Sequence, residues 1–207
     1  MALLVNASMD LPLSESAVTA LKALAAPSTH GIQDASGAVV SRHTDPAVRA
    51  SWEVHDVRLS SALVALVHDA ATACGERDAS RGVTVPSTGT VVLYEVGGHF
   101  AAHTDRARGP AHWGTAIVLL PTAVPFAGGA LTINDEAVPF VPSTEPQVAI
   151  VPLGAVHAVA PVTSGVRVAM TVPLSYSSLP RGSGTAVDEE EGRWSWYQRN
   201  IAPGRCD

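Results

Sequence analysis

Cysteine is scarce in this chain of 207 residues, which contains Cys74 and Cys206 and no others. Two cysteines cannot build a disulfide framework, and their spacing is not C-x-x-C, so a reduced cytoplasm is the expected location. Charged residues are also few, at 15%, and the formal balance is −6. With no basic cluster to offset it, that balance excludes a broad electrostatic footprint for nucleic acid or an anionic membrane. Long apolar runs are missing too. The longest, "TAIVLLPTAVPFAGGALTI" (Thr115–Ile133), is broken by Pro and Gly before the ~20 residues that a membrane span requires. The opening "MALLVNASMDLPLSES" lacks the charged n-region of a signal peptide. A soluble chain with no membrane partner and no internal repeat is therefore expected. What the sequence does have is apolar residues, 46% of the total, enough for a sizeable core in a length that suits one domain.

The chain changes character along its length. "LSESAVTALKALAA" spaces Val18, Leu21 and Leu24 at helical intervals, with Ser14 or Ser16 available as a cap, and predicts a first helix over about 13–26. Asp34 to Gly37 marks a turn, and Trp52, Val54 and Val57 suggest a strand. "SSALVALVHDAATAC" predicts a second helix, capped by Ser60 and stopped by Gly75. Beyond the loop "GERDASRGVTVPSTG" come short runs rich in β-branched residues: "TVVLYEV", "TAIVLLP", "ALTI", "QVAIVPL" and "VRVAMTVPL". Such runs describe a sandwich or barrel. Several are apolar on both faces, so each sheet should carry a cover on its outer side, and the two helices are the obvious candidates. The resulting division is a helical support region at 1–85, a β core at 86–176, and a linker and tail at 177–207, all serving one domain. In the tail, the segment 188–201 pairs an acidic run with aromatics; a helix or arm packed on the core is the plain reading, and a substrate lid or dimer contact the alternative.

The segment "YEVGGHFAAHTD" (Tyr94–Asp105) concentrates potential chemistry. In a strand, residues i and i+2 share a face, so His103 and Asp105 can point at one spot. His157, just before a Pro-containing turn, offers a third ligand. Two imidazoles and a carboxylate make a facial triad that suits non-haem Fe(II), whereas zinc more often sits in a closed tetrahedral site or one with a single open position. For His30, His43, His55, His68 and His112, solvent or ordinary hydrogen bonding is the plain reading. Ten positions after His157, Arg167 opens a strand in which Arg167, Ala169 and Thr171 share one face and Val168, Met170 and Val172 the other. A guanidinium inside an apolar barrel requires an anionic partner, and a carboxylate gripped bidentately is the natural one.

These residues carry a family resemblance. "YEVGGHFAAHTD" resembles the Y-x-x-G-G-x-[FY]-x-x-H-x-D segment of prolyl-4-hydroxylase-like Fe(II)/2-oxoglutarate-dependent oxygenases. "HAVAPVTSGVR" resembles their H-x-x-x-P-V-x-x-G-x-[KR] segment, and "TAIVLLP" and "AGGALTI" between them look like the family's strand and Gly-Gly turn. The resemblance spans roughly Thr90 to Leu174 and implies a mainly β fold with supporting helices, a double-stranded β-helix or cupin-like jelly roll. It implies that His103, Asp105 and His157 hold Fe(II). It implies also that Arg167 and Tyr94 bind the distal carboxylate of the cosubstrate 2-oxoglutarate, with Thr115 lining the same pocket and Gly97 and Gly98 shaping a turn. Where the family often has a second tyrosine, Leu119 or Leu120 stands here.

The chemistry implied is oxidation of an unactivated C–H bond by O2, coupled to oxidative decarboxylation of 2-oxoglutarate. Hydroxylation is the expected outcome, and desaturation, ring formation or epoxidation begin from the same hydrogen abstraction. No acid or base beyond the metal site is required. Arg106, Arg108, His112 and Trp113, in the loop "RARGPAHW", are candidate substrate contacts, and the expected substrate is an amino acid or other small metabolite. A prolyl or other residue in a protein or peptide is the alternative. Outside this class stand a cupin-like metal-binding isomerase or hydrolase, which has no need of Arg167 with Tyr94, and a non-catalytic β-barrel binding module, which needs none of the five. Neither the oligomeric state nor the regiochemistry is encoded legibly.

Overall fold

The computed structural model describes residues 10–33, 39–75 and 82–178. The chain opens with α1 (Glu15–Leu24), whose N-cap Ser14 accepts a hydrogen bond from the Ala17 N–H at 3.2 Å. That bond satisfies one of the donors a helix start leaves without a partner. Val18 is buried while Leu24 lies exposed, so the apolar stripe of this helix is narrower than its spacing predicts. There follow β1 (Ala26–Pro27), the hairpin β2 (His30–Gln33) and β3 (Val39–His43), β4 (Arg49–Ala50) and β5 (Trp52–Arg58). The turn expected at 34–37 lies outside the described residues.

In β5, Val54 and Val57 are both buried although they are three apart. Asp56, at φ 57°, forms a bulge where the pairing with the next large strand slips, and the extra residue returns Val57 to the core face. Next, α2 (Ser61–Gly75) starts where the Ser60 hydroxyl accepts from the Leu63 N–H at 3.2 Å. Within this helix, Cys74 is partly buried against the core.

The remaining strands are β6 (Val83–Thr84), β7 (Thr88–Tyr94), β8 (His99–Thr104), β9 (His112–Leu120), β10 (Ala127–Gly128), β11 (Leu131–Ile133), β12 (Glu136–Ala137), β13 (Gln147–Pro152), β14 (Val156–Val159), β15 (Val162–Ser164) and β16 (Arg167–Tyr176). The larger sheet runs β1-β5-β7-β16-β9-β13, with β6 also on β16, and the smaller runs β12-β11-β14-β8-β4. From β7 to β16 the chain winds back and forth between the two: β7, β9, β13 and β16 lie in the large sheet and β8, β11, β12 and β14 in the small one. Every pairing among them is antiparallel, and the first of them, β7, lies beside the last, β16. This order is that of a double-stranded β-helix, as the sequence led us to expect.

Two apolar clusters follow from strand alternation. Val92, Tyr94, Ile117, Val151 and Ala169 of the large sheet meet Leu131 and Val159 of the small sheet between the layers. On the opposite face of the large sheet, Val91, Leu93, Val118, Val168 and Met170 pack with Val18 of α1 and Leu63, Val67 and Ala71 of α2. Burying each such aliphatic side chain contributes about 1.5–3 kcal/mol before entropy is counted. Both helices lie against the large sheet. The expected cover on the small sheet is not helical, and Ala102, Thr104 and Val156 on its strands stay exposed. The region read as helical support also adds strands, β5 to the large sheet and β4 to the small one. Among the described residues, no helix is long and apolar enough to cross a membrane.

Candidate metal centre

His103 sits near the end of β8 and is paired across the ladder with His157 of β14. His157 lies inside its strand rather than at the strand end, with Ile133 of β11 on its other side. Residues directly opposite in an antiparallel pair share a face, so both imidazoles project from one side of the small sheet. Asp105 follows β8 by one residue. One ligand atom from each of His103, Asp105 and His157 lies within 4.8 Å of the other two. His157 Nε2 is 3.9 Å from Asp105 Oδ1, and the two imidazole centroids are 4.1 Å apart.

The backbone orients both rings. His103 Nδ1 lies 2.9 Å from the Ala101 carbonyl and His157 Nδ1 lies 3.1 Å from the Ala155 carbonyl. A carbonyl only accepts, so each Nδ1 carries a proton and Nε2 is the nitrogen left to face a metal. Burial, and then the neighbouring His157, lower the His103 pKa to about 4, so this ring is neutral near pH 7. Two imidazoles and one carboxylate suit a divalent transition metal of intermediate softness, with iron among those that fit.

The turn before β8 requires glycine at Gly98, where a Cβ would stand 2.7 Å from the Glu95 carbonyl oxygen and 3.0 Å from that of Ala50. On the inner face of β9, Thr115 donates its hydroxyl to Asp105 Oδ2 at 2.5 Å. The bond ties the large sheet to the segment that follows β8.

Arg167 and Tyr94 are cross-strand partners on β16 and β7. The guanidinium carbon lies 5.3 Å from the phenol centroid, and the Arg167 residue is 1% exposed. Its Nη2 has no hydrogen-bond partner among the described residues. Burial lowers the Arg167 pKa, and the neighbouring Tyr94 opposes that shift. Burial raises the Tyr94 pKa against the pull of Arg49 and Arg167. A buried cation with a free donor is the complement of a carboxylate ligand. Close behind it stands Gly129, at φ +66°, where a Cβ would come within 2.8 Å of Arg167 Cδ. The backbone thus leaves room for the arginine stem.

Of the other expected site residues, Arg106 and Arg108 are exposed in the loop after Asp105. His112 is buried, its Nδ1 accepting from the Arg108 N–H at 3.1 Å. Trp113 lies in the cluster under the helices, stacked 5.7 Å from Tyr176. A register slip where β9 meets the end of β16 turns Trp113 to that side. Leu119 lies opposite Ala169 and so shares its inner face, while Leu120 packs on the helix side.

Sequence reasoning missed Arg49. Its guanidinium carbon lies 4.4 Å from the Phe100 ring centroid, and Phe100 stacks on His103 at 3.6 Å and 21°. Arg49 also pairs with Glu53 at 2.5 Å and donates to Ser51 Oγ at 3.0 Å and the Thr29 carbonyl at 3.2 Å. Only the pairing of Arg49 with Phe100 across β4 and β8 brings this arginine to the site, and no local motif announces it.

No family model and no curated protein matches the chain. Among solved structures it is similar to an oxidoreductase of the 2OG-Fe(II) oxygenase family from Burkholderia pseudomallei, with 15% identity, 77% of this chain and 78% of that chain covered, and a TM-score of 0.46. It is similar also to a Pseudomonas putida prolyl-4-hydroxylase, with 17% identity, coverage of 63% and 74%, and a TM-score of 0.47. A third is a Trichoplax adhaerens prolyl hydroxylase in complex with a hypoxia inducible factor oxygen degradation domain peptide fragment, with 17% identity, coverage of 71% and 70%, and a TM-score of 0.47. Likeness at this level carries no residue's role across, so the site stands on its own geometry within a double-stranded β-helix.

Proposed function

We propose that this chain is an Fe(II)/2-oxoglutarate-dependent oxygenase. The observation that carries the reading is the pairing of a His103, Asp105 and His157 cluster with the buried Arg167, whose Nη2 has no partner, in one double-stranded β-helix. An isomerase or a binding module has use for a metal cluster or for a cavity, but not for a buried guanidinium awaiting an anion. On this reading His103, Asp105 and His157 hold Fe(II), while Arg167 and Tyr94 receive the distal carboxylate of 2-oxoglutarate. When bound, iron supplies oxidation of a C–H bond by O2, coupled to decarboxylation of the keto acid.

The chain's own residues position and exclude. The two backbone carbonyls hold the imidazoles with Nε2 free, Arg167 and Tyr94 orient one end of the cosubstrate, and the inter-sheet cluster keeps water from the reacting centre. Residues 86–176 form the catalytic core, supported by 1–85 of the same domain; most of 177–207, including the 188–201 tail, lies outside the described residues.

The proposed substrate is an amino acid or comparable small metabolite, because Arg106 and Arg108, exposed in the loop that follows Asp105, offer cations that suit a carboxylate. Of the other two expected contacts, Trp113 lies in the helix-side core, and His112 is buried with its ring engaged by the backbone. Anaerobic titration should show one Fe(II) bound per chain, and His157→Ala should abolish it. Full iron-dependent turnover by that variant would refute the ligand assignment.

A further inference from the structure

Asp105 differs from the other two members of the cluster. His103 and His157 lie in hydrogen-bonded strands and each has a backbone carbonyl at Nδ1, whereas Asp105 lies just beyond β8 with a side chain 30% exposed. A carboxylate on such a segment can turn, and turning decides whether it offers a metal one oxygen or two.

One hydroxyl opposes that rotation. Thr115 is 4% exposed, and its ladder partners are Val151 of β13 and Pro173 of β16, so it sits within the large sheet. Its β-branched side chain is stiff at χ1. Its Oγ1 donates to Asp105 Oδ2 at 2.5 Å, at the short end of hydroxyl-to-carboxylate bonds, while Asp105 Oδ1 faces His157 Nε2 at 3.9 Å. The two carboxylate oxygens therefore have different surroundings, one engaged by the large sheet and one turned to the imidazoles of the small sheet.

Resting on the metal reading above, we infer that Thr115 is a positioning residue that commits Asp105 to a single metal-binding oxygen. With Oδ2 held, His103, Asp105 and His157 would offer a metal ion one ligand atom each. Without the hydroxyl, the carboxylate would turn away from the imidazoles for part of the time, and a metal ion would be held less tightly. Thr115 then acts on the metal through Asp105.

Thr115→Val removes the hydroxyl at nearly constant shape, and Thr115→Ser retains it. The probe is Mn(II), a redox-stable stand-in for Fe(II), followed by the electron paramagnetic resonance of the free ion, with thermal melting of each apoprotein alongside. Thr115→Val should weaken Mn(II) about 10–100-fold, the range found when a residue that orients a metal ligand is lost. Its melting should stay close to that of the unmodified protein, and Thr115→Ser should bind Mn(II) within a few-fold of it. Unmodified protein that binds no Mn(II) overturns the metal reading and this inference together. Binding by the unmodified protein with unchanged Mn(II) affinity in Thr115→Val overturns the inference alone. Equal loss in both variants does so too, since it assigns the effect to packing rather than to the hydroxyl.

Discussion

Replacing Arg167 with methionine should shift two properties in opposite directions. Arg167 is 1% exposed and its Nη2 lacks a hydrogen-bond partner among the described residues. In the apoprotein this is a liability, because an unsatisfied buried polar group costs about 1–3 kcal/mol, and a charged one more. Methionine fills much of the same volume with a flexible apolar chain. The variant apoprotein should therefore gain about 1–3 kcal/mol, or roughly 2–12 °C in Tm for a chain of this size. The same change should damage cosubstrate binding. Truncating one partner of a buried charge pair costs about 2–5 kcal/mol, which is roughly 30- to 5000-fold in Kd. Calorimetric titration of 2-oxoglutarate into Mn(II)-loaded protein and melting of the apoprotein measure the two effects separately. Unchanged 2-oxoglutarate affinity would refute the placement of Arg167 in the cosubstrate pocket. A less stable apoprotein would show that its guanidinium already has adequate compensation.

Gly129→Ala should weaken 2-oxoglutarate while leaving Mn(II) affinity unchanged, because a Cβ there meets Arg167 Cδ at 2.8 Å and strains a φ of +66°; matched titrations of the two ligands check it. Apoprotein stability should fall as pH drops from 6.5 to about 4, since the unfolded His103 imidazole takes up a proton in that window and the folded one resists it. Urea denaturation across that range, compared with His103→Gln, should show a smaller slope in the variant. Arg49→Met should destabilise by about 3 kcal/mol, because it leaves the Glu53 carboxylate, 14% exposed, with only the exposed His55 imidazole at 3.6 Å beside it. Adding Glu53→Gln should recover part of that loss, and an additive double mutant would contradict the coupling.

The β core was legible because β7, β9, β13 and β16 are dense in β-branched residues, and alternation alone put Arg167 and Ala169 on the face opposite Met170. The helix caps at Ser14 and Ser60 were legible for a similar reason, since capping is local chemistry. Features that depend on long-range register were not. The segment "RARGPAHW" reads as one loop, but the slip between β9 and β16 turns Trp113 under the helices. The hydrogen bond of Thr115 to Asp105 joins residues ten apart on different elements, which no local pattern announces. Arg49 reaches Phe100 and the His103 ring only through the short pairing of β4 with β8. The helices' shared sheet was equally hidden, since an apolar helix face does not specify which of two apolar sheets it will cover.

The most direct test is succinate release by the Fe(II)-loaded protein, offered amino acids, small metabolites and Pro-containing peptides in the presence of 2-oxoglutarate and O2. The account predicts succinate that requires iron, 2-oxoglutarate and O2 together, rises with one class of substrate, and disappears in His157→Ala. Protein that binds Fe(II) and 2-oxoglutarate but releases no succinate with any member of the panel would contradict it.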